Sequence, residues 1–262
     1  MARKSLKNIA KLIDSVTDNL SVEESFLHDL KRSIELTDER SWGKPSQTYK
    51  PSGMNCIRAS YYQVKGVDPD PANASYTNVG ICNSGTDIHI RTQQAVESMK
   101  DNGMDCEYVD VAEFVTQRGL TNLEIKGKSG EETKLYDKNL NISFLCDGII
   151  KYKNKYYIIE FKTENSFKWN QRIGVDPNHY NQAITYSLEL GLDEVMFVYI
   201  SRDNLDMKSY LFHVTDEMRQ TIIDYIESCD NYVRINSIPP KIPVSQKTCN
   251  YCGYKLRCEK ES

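Results

Sequence analysis

The sequence predicts an α/β fold with a mixed central sheet flanked by helices. Three observations carry this. Two β-prone runs, "ISFLCDGIIKY" and "KYYIIEFK", lie side by side in the middle of the chain, rich in Ile, Tyr and Phe. Two more, "EVMFVYIS" and "MKSYLFHV", follow later. Between and after them run stretches with apolar residues at helical spacing.

Residues 1–40 read as one or two helices. "IAKLIDSV" and "VEESFLHDLKRSIEL" carry the helical pattern, with Ser21 as N-cap and Glu24 completing a capping box. The turn-rich stretch "DERSWGKPSQTYKPSGMN" breaks it, and "CIRASYYQVKG" resumes a short helix. This divides the chain into an N-terminal helical segment, residues 1–45, and one main domain, residues 46–262. "SGTDIHIRTQQAVESMKDNG" reads as a helix starting at Ser84 and Asp87 and stopped by Gly103. "EYVDVAEFV" reads as a strand. The runs 142–152 and 155–162 read as two strands joined by a tight turn near Asn154. Asp176-Pro177 opens a helix that ends near Gly191. Thr215 caps another, from about 216 to 235. "SIPPKIP" then ends regular structure before a cysteine-rich tail.

Composition limits the function classes. The net charge is -4 and the pI about 5.7, so contact with nucleic acid has to come from a local basic patch. No apolar run approaches the ~18 residues of a membrane span, and no membrane partner is expected. The N-terminus has basic residues but lacks the long apolar stretch of a signal peptide. A cytoplasmic location, in a bacterial, archaeal or phage-infected cell, is the expectation. In that reducing setting the eight cysteines read as metal ligands or buried thiols. "KGKSGEE" contains Gly-Lys-Ser, but a phosphate-binding loop needs glycine where Asn122 stands. No nucleotide cofactor and no motor follow from it.

The run "YYIIEFKTENS" carries the chemistry. Side chains alternate faces along a strand, so Ile158, Glu160 and Lys162 share one. A two-residue turn at Asn154-Lys155 would set Asp147 opposite Lys162, one diagonal step from Glu160. Two carboxylates and an ammonium on one sheet face can hold Mg²⁺ or Mn²⁺ and assist phosphodiester hydrolysis. A solvated strand face with a cross-strand ion pair would give the same letters. The following helix, "HYNQAITYSLELG", places Gln182 and Tyr186 on one face, within reach of a carboxylate. "GTDIHIR" puts His89, a common metal ligand, on a helix after Gly85.

"GTDIH", "CDG", "EFK" and "QAITY", in that order, resemble the PD-(D/E)XK nuclease superfamily, and in particular its RecB-like branch. The resemblance covers roughly residues 50–260 and implies a restriction-endonuclease-like core. It implies that Asp147 and Glu160 hold the metal and that Lys162 is the catalytic lysine. His89 and the backbone carbonyl of Phe161 would be further metal ligands, and Gln182 and Tyr186 a supporting helix motif. Cys146 departs from the pattern, standing where the name-giving proline would be.

"CNYCGYKLRC" brings Cys249, Cys252 and Cys258 close in sequence, a metal-binding signature that lacks a fourth ligand. "KPSGMNCIRASYY" resembles the S-x-x-x-C-x-R-x-x-Y-Y segment of iron–sulfur RecB-like nucleases, which include CRISPR-associated exonucleases and the AddB subunit. That resemblance makes Cys56 the fourth ligand of a [4Fe–4S] cluster clipping the two ends of the domain together. Four-thiolate Zn²⁺ is equally consistent with the ligands alone. Cys82, Cys106, Cys146 and Cys229 read as packing thiols.

DNA is the expected partner. Lys168, Trp169 and Arg172 in "ENSFKWNQRIG" interleave charge with an aromatic, which suits a single strand, and Arg58 and Arg91 are further candidates. The reading is a metal-dependent exonuclease on single-stranded or end-accessible DNA. Its rivals are a structure-specific endonuclease and a non-catalytic DNA-binding adaptor. RecB-like relatives include ring-forming exonucleases, so the resemblance admits a homo-oligomer.

Overall fold

The computed structural model describes residues 21–37, 45–70, 75–129 and 132–261. Among them, residues 21–37 and 75–83 belong to one compact unit and the others to a second. The first three helices are α1 (Val22–Leu36), α2 (Ile57–Val64) and α3 (Tyr76–Glu97). In the first unit, α1 has the expected capping box. Glu24 N–H donates to Ser21 Oγ, and Ser21 N–H donates back to Glu24 Oε2 at 2.9 Å. Tyr76 N–H, at the start of α3, donates to Glu35. "IAKLIDSV" lies outside the described residues.

The second unit is built on two sheets. Strand β1 (Cys106–Val109) leads into helix α4 (Val111–Gln117). Strands β2 (Leu123–Ser129), β3 (Glu132–Asp137) and β4 (Ile142–Cys146) form an antiparallel three-stranded sheet. Strands β5 (Gly148–Tyr152) and β6 (Lys155–Glu164), α5 (Ser166–Gln171), α6 (Tyr180–Leu190), β7 (Glu194–Ser201) and β8 (Met207–His213) follow. The larger sheet has the order β1-β5-β6-β7-β8 and is mixed, since β6 and β7 are parallel and the other pairs antiparallel. The chain closes with α7 (Asp216–Arg234), α8 (Gln246–Asn250) and α9 (Lys255–Lys260).

Both faces of β6 are covered, as a strand with a parallel neighbour requires. On one face Ile159, Phe161 and Ile200 pack against Ile88 and Val96 of α3 and Met99 just beyond its end. On the other, Ile158, Phe197 and Tyr199 belong to the main core with Ala183 of α6 and Ile222 and Ile226 of α7. Among the described residues no helix is long and apolar enough to cross a membrane.

Four expectations are corrected. "ISFLCDGIIKY" is two strands in two sheets, and Asp147 sits at the break. Gly148, which opens β5, lets the Tyr108 ring of β1 pack close to that strand, because a Cβ there would lie 2.6 Å from the ring. "EYVDVAEFV" is split by Asp110, whose carboxylate caps α4 by accepting from Glu113 N–H. Helix α3 starts at Tyr76, so Ser84 lies inside it. The turn between β5 and β6 falls at Lys153-Asn154, both with positive φ, as a type I′ hairpin turn needs. The register therefore pairs Gly148 with Ile159 and sets Asp147 level with Glu160, not Lys162.

Candidate active site

Asp147, Glu160 and Lys162 come together at one cavity of about 510 Å³, which His89, Glu132, Phe161, Gln182 and Tyr186 also line. Asp147 is fixed by two backbone contacts. Its Oδ2 accepts the Phe161 N–H at 2.8 Å, and its carbonyl accepts from Gln93 Nε2 at 2.5 Å. Gln93 lies one turn beyond His89 on α3 and is fully buried. Gly85 lets the same helix lie close to β6, since a Cβ there would sit 3.1 Å from Thr163 Oγ1.

Glu160 and Lys162 point toward α6 from alternate positions of β6. Lys162 Nζ donates to Glu160 Oε1 at 2.5 Å and to Gln182 Oε1 at 2.9 Å. Gln182 Nε2 donates to Glu160 Oε1 and to Tyr186 Oη, both at 2.8 Å. Tyr186 O–H donates to the Leu145 carbonyl at 2.6 Å, which ties α6 to the end of β4. Every polar atom of the Gln182 amide is thus used, and its orientation follows, because Lys162 can only donate.

Charge is unbalanced here. Three carboxylates, Glu132, Asp147 and Glu160, surround one ammonium. Burial and the Asp147 carboxylate push Glu160 up to about 8, against the pull of Lys162. Glu132 is raised by burial and Asp147. Burial works to lower His89 and Lys162, but the surrounding carboxylates outweigh it and raise both. Two ligand-type atoms in this cluster, His89 Nε2 and Glu160 Oε2, are buried without a hydrogen-bond partner. His89 Nε2 lies 2.9 Å from Asp147 Oδ2 yet out of line for a hydrogen bond. Bare buried atoms among excess carboxylates are what a hard divalent cation would satisfy, and His89, Glu132 and Asp147 bring ligand atoms within 4.8 Å of one another.

Two residues of the cluster are missing from the sequence expectation. Glu132 enters through the β2–β3 hairpin, which the charged, glycine-containing stretch "LEIKGKSGEETKLYD" did not suggest. Gln93 could have been found from its i, i+4 spacing to His89.

The expected DNA contacts are largely redirected inward. Arg58 is buried, donating to Tyr62 Oη at 3.2 Å and to the Glu261 carbonyl at 2.9 Å. Arg172 grips Glu164 through two nitrogens at 2.6 and 2.5 Å and lies over the Tyr199 ring. Lys168 pairs with Glu164 and Asp176, and Trp169 donates to the Tyr199 carbonyl at 3.1 Å. The charge in this segment neutralises Glu164 and Asp176 instead of facing outward. Arg91 is exposed but borders a separate, mostly apolar hollow with Ile88, Met99 and Met207. The lysines beside the candidate site are Lys50 and Lys134.

The cysteine tail is anchored to the loop after α2 and to α2 itself. Asp70 N–H donates to the Gly253 carbonyl and Asp70 Oδ2 accepts from Leu256 N–H, each at 2.6 Å, while Arg58 and Tyr62 hold Glu261. Cys56 and Cys252 line one cavity. Burial raises the Cys252 thiol, and Cys56, Cys258 and Cys249 add to the rise, so the four sulfurs share one neighbourhood. Among the described residues, no three thiols lie within 4.8 Å of one another. Zn–S bonds of about 2.3 Å would draw them closer than that.

No protein-family model matches the chain, and no curated protein does. Among solved structures, SSO0001 is 19% identical, over 88% of this chain and 96% of that one, with a TM-score of 0.48. The alkaline exonuclease LHK-Exo of Laribacter hongkongensis is 12% identical, over 73% of this chain and 90% of that one, at 0.45. Its complex with dAMP overlaps to the same degree, with a TM-score of 0.45. These are loose overlaps of chain path, and the functional reading rests on this chain's own residues.

Proposed function

We propose that the chain is a divalent-metal-dependent deoxyribonuclease, acting as an exonuclease on single-stranded or end-accessible DNA. The observation that supports this is the convergence of Asp147, Glu160, Lys162 and His89 on one cavity, with buried ligand atoms left bare. Asp147, Glu160 and His89 Nε2 would hold Mg²⁺ or Mn²⁺, joined by the Phe161 carbonyl. When bound, such an ion polarises the scissile phosphate and lowers the pKa of a bound water.

The chain's own groups do the rest. Glu160 Oε1 and Gln182 Oε1 hold Lys162 Nζ at the cavity wall, where the ammonium faces charge developing on the phosphate. Gln182, held by Tyr186, occupies Glu160 Oε1 together with Lys162, and the other oxygen is free. Lys50 and Lys134, on the rim, are placed to take neighbouring phosphates. The same reading assigns a [4Fe–4S] cluster to Cys56, Cys249, Cys252 and Cys258, with Zn²⁺ as the alternative.

The test is degradation of end-labelled linear and circular single-stranded DNA by anaerobically purified protein, with Mn²⁺ or with chelator. Metal-dependent loss of the linear substrate alone is expected. Cutting of the circle would replace the exonuclease with an endonuclease. Inertness toward both would overturn the enzymatic reading.

A further inference from the structure

Glu132 has no part in the chemistry described so far, yet it stands beside His89. Its Oε1 lies 3.4 Å from His89 Nδ1, while His89 Nε2 lies 2.9 Å from Asp147 Oδ2. A carboxylate oxygen therefore stands near each ring nitrogen. The two nitrogens diverge, so one ion can take only one of them. Asp147 lies on the Nε2 side, and Nε2 is the buried nitrogen without a hydrogen-bond partner. A neutral imidazole carries a single proton, and a ligating nitrogen has to be the bare one.

We propose that Glu132 is a positioning residue: it accepts the Nδ1–H of His89, fixes the tautomer and the ring plane, and so leaves the Nε2 lone pair for the divalent cation. This rests on the metal-dependent reading above. The placement supports it. His89 rides on α3, and its ring has an edge-on contact with Phe161 at 5.4 Å, which does not distinguish the two nitrogens. Glu132 arrives from β3, in the other sheet, and both side chains are largely screened from water. The 3.4 Å approach is long for a hydrogen bond and is expected to close when the ring turns onto an ion. A carboxylate behind a metal-bound histidine typically strengthens metal binding by about 10- to 100-fold.

The experiment is Mn²⁺ affinity by titration with EPR detection of free ion, on the full chain. The proteins are wild type, Glu132→Ala, Glu132→Gln, His89→Ala and the His89→Ala/Glu132→Ala double variant. Glu132→Ala is expected to weaken binding by roughly 10-fold or more. Glu132→Gln should lose less, because its amide oxygen still accepts Nδ1–H, and it guards against a loss of fold. In the His89→Ala background, removing Glu132 should change nothing further. A loss that persists at full size without His89 would make Glu132 a direct ligand and overturn the proposal. Unchanged affinity in both single Glu132 variants would also overturn it. Wild type that takes up no Mn²⁺ would overturn the metal reading itself, and this inference with it.

Discussion

Glu160 has one oxygen occupied twice and the other bare. Lys162 and Gln182 both donate to Oε1, and nothing donates to Oε2. This division depends on Gln182, which also orients Lys162. Gln182→Ala should therefore cost about 1–3 kcal/mol of stability, through buried partners left unmade. It should also lower cleavage by about 10- to 100-fold, because a group supporting a metal-holding carboxylate is lost. Denaturant unfolding and single-turnover rates check the two effects separately. Unchanged rates would remove Gln182 from the site. At this scale the sequence was most readable: E-x-K on a β-prone run and Q-x-x-x-Y on the next helix each presuppose one periodicity. Glu132 was hidden because its placement depends on a hairpin between two charged runs. Arg172 misled for the opposite reason. Its charge was visible, while its partner Glu164 is defined only by the fold.

Among the elements, the break at Asp147 matters most. Residues 142–152 read as one apolar run, because a chain that changes sheets keeps the same alternating letters. Just after the break, the Tyr108 ring packs against Gly148. Gly148→Ala would drive a Cβ into Tyr108 and should destabilise the protein by about 1–3 kcal/mol. A Tyr108→Ala background should absorb much of the extra loss, and urea unfolding of the four proteins checks it. An equal loss in that background would contradict the packing account.

A second joint ties α6 to the smaller sheet. Glu189 of α6 lies against Asp137 at the end of β3, with Asn122 donating to Asp137 at 3.1 Å. Burial and Asp137 push Glu189 up to about 9. A carboxyl whose folded pKa is raised stabilises below its unfolded value, and that contribution is lost as pH rises through the folded value. Stability of the metal-free protein should fall between about pH 4.5 and 9. Glu160, raised to about 8, adds to the fall, and Mn²⁺ should cancel its share. Glu189→Gln should flatten the remaining slope, as measured by melting temperature against pH. A slope unchanged by Glu189→Gln would place the titration elsewhere.

On the scale of the whole molecule, the chain's last residues return to α2 and the loop after it. Asp70, Arg58 and Tyr62 hold this joint by hydrogen bonds. A metal group joining Cys56 to Cys249 would close a loop of nearly two hundred residues and add closure stability that grows with loop length. Anaerobically purified protein should carry iron and visible absorbance, and Cys258→Ser should lose both with a drop in melting temperature. Stoichiometric zinc with no iron would select the alternative ion. A mixed central sheet flanked by helices was legible in the sequence; the order β1-β5-β6-β7-β8 and the parallel β6–β7 pair were not. Nor was the three-stranded sheet, because β2 and β3 are short on buried apolar residues.

The central claim is that Lys162 acts on the reacting phosphate beside a cation held by Asp147 and Glu160. It is tested most directly by comparing Mn²⁺ affinity and single-turnover cleavage in Lys162→Gln and Asp147→Ala. Lys162→Gln should bind Mn²⁺ within about threefold of wild type and cleave at least ~100-fold more slowly, since it removes only a transition-state contact. Asp147→Ala should lose both. Cleavage at the wild-type rate by Lys162→Gln would contradict the account.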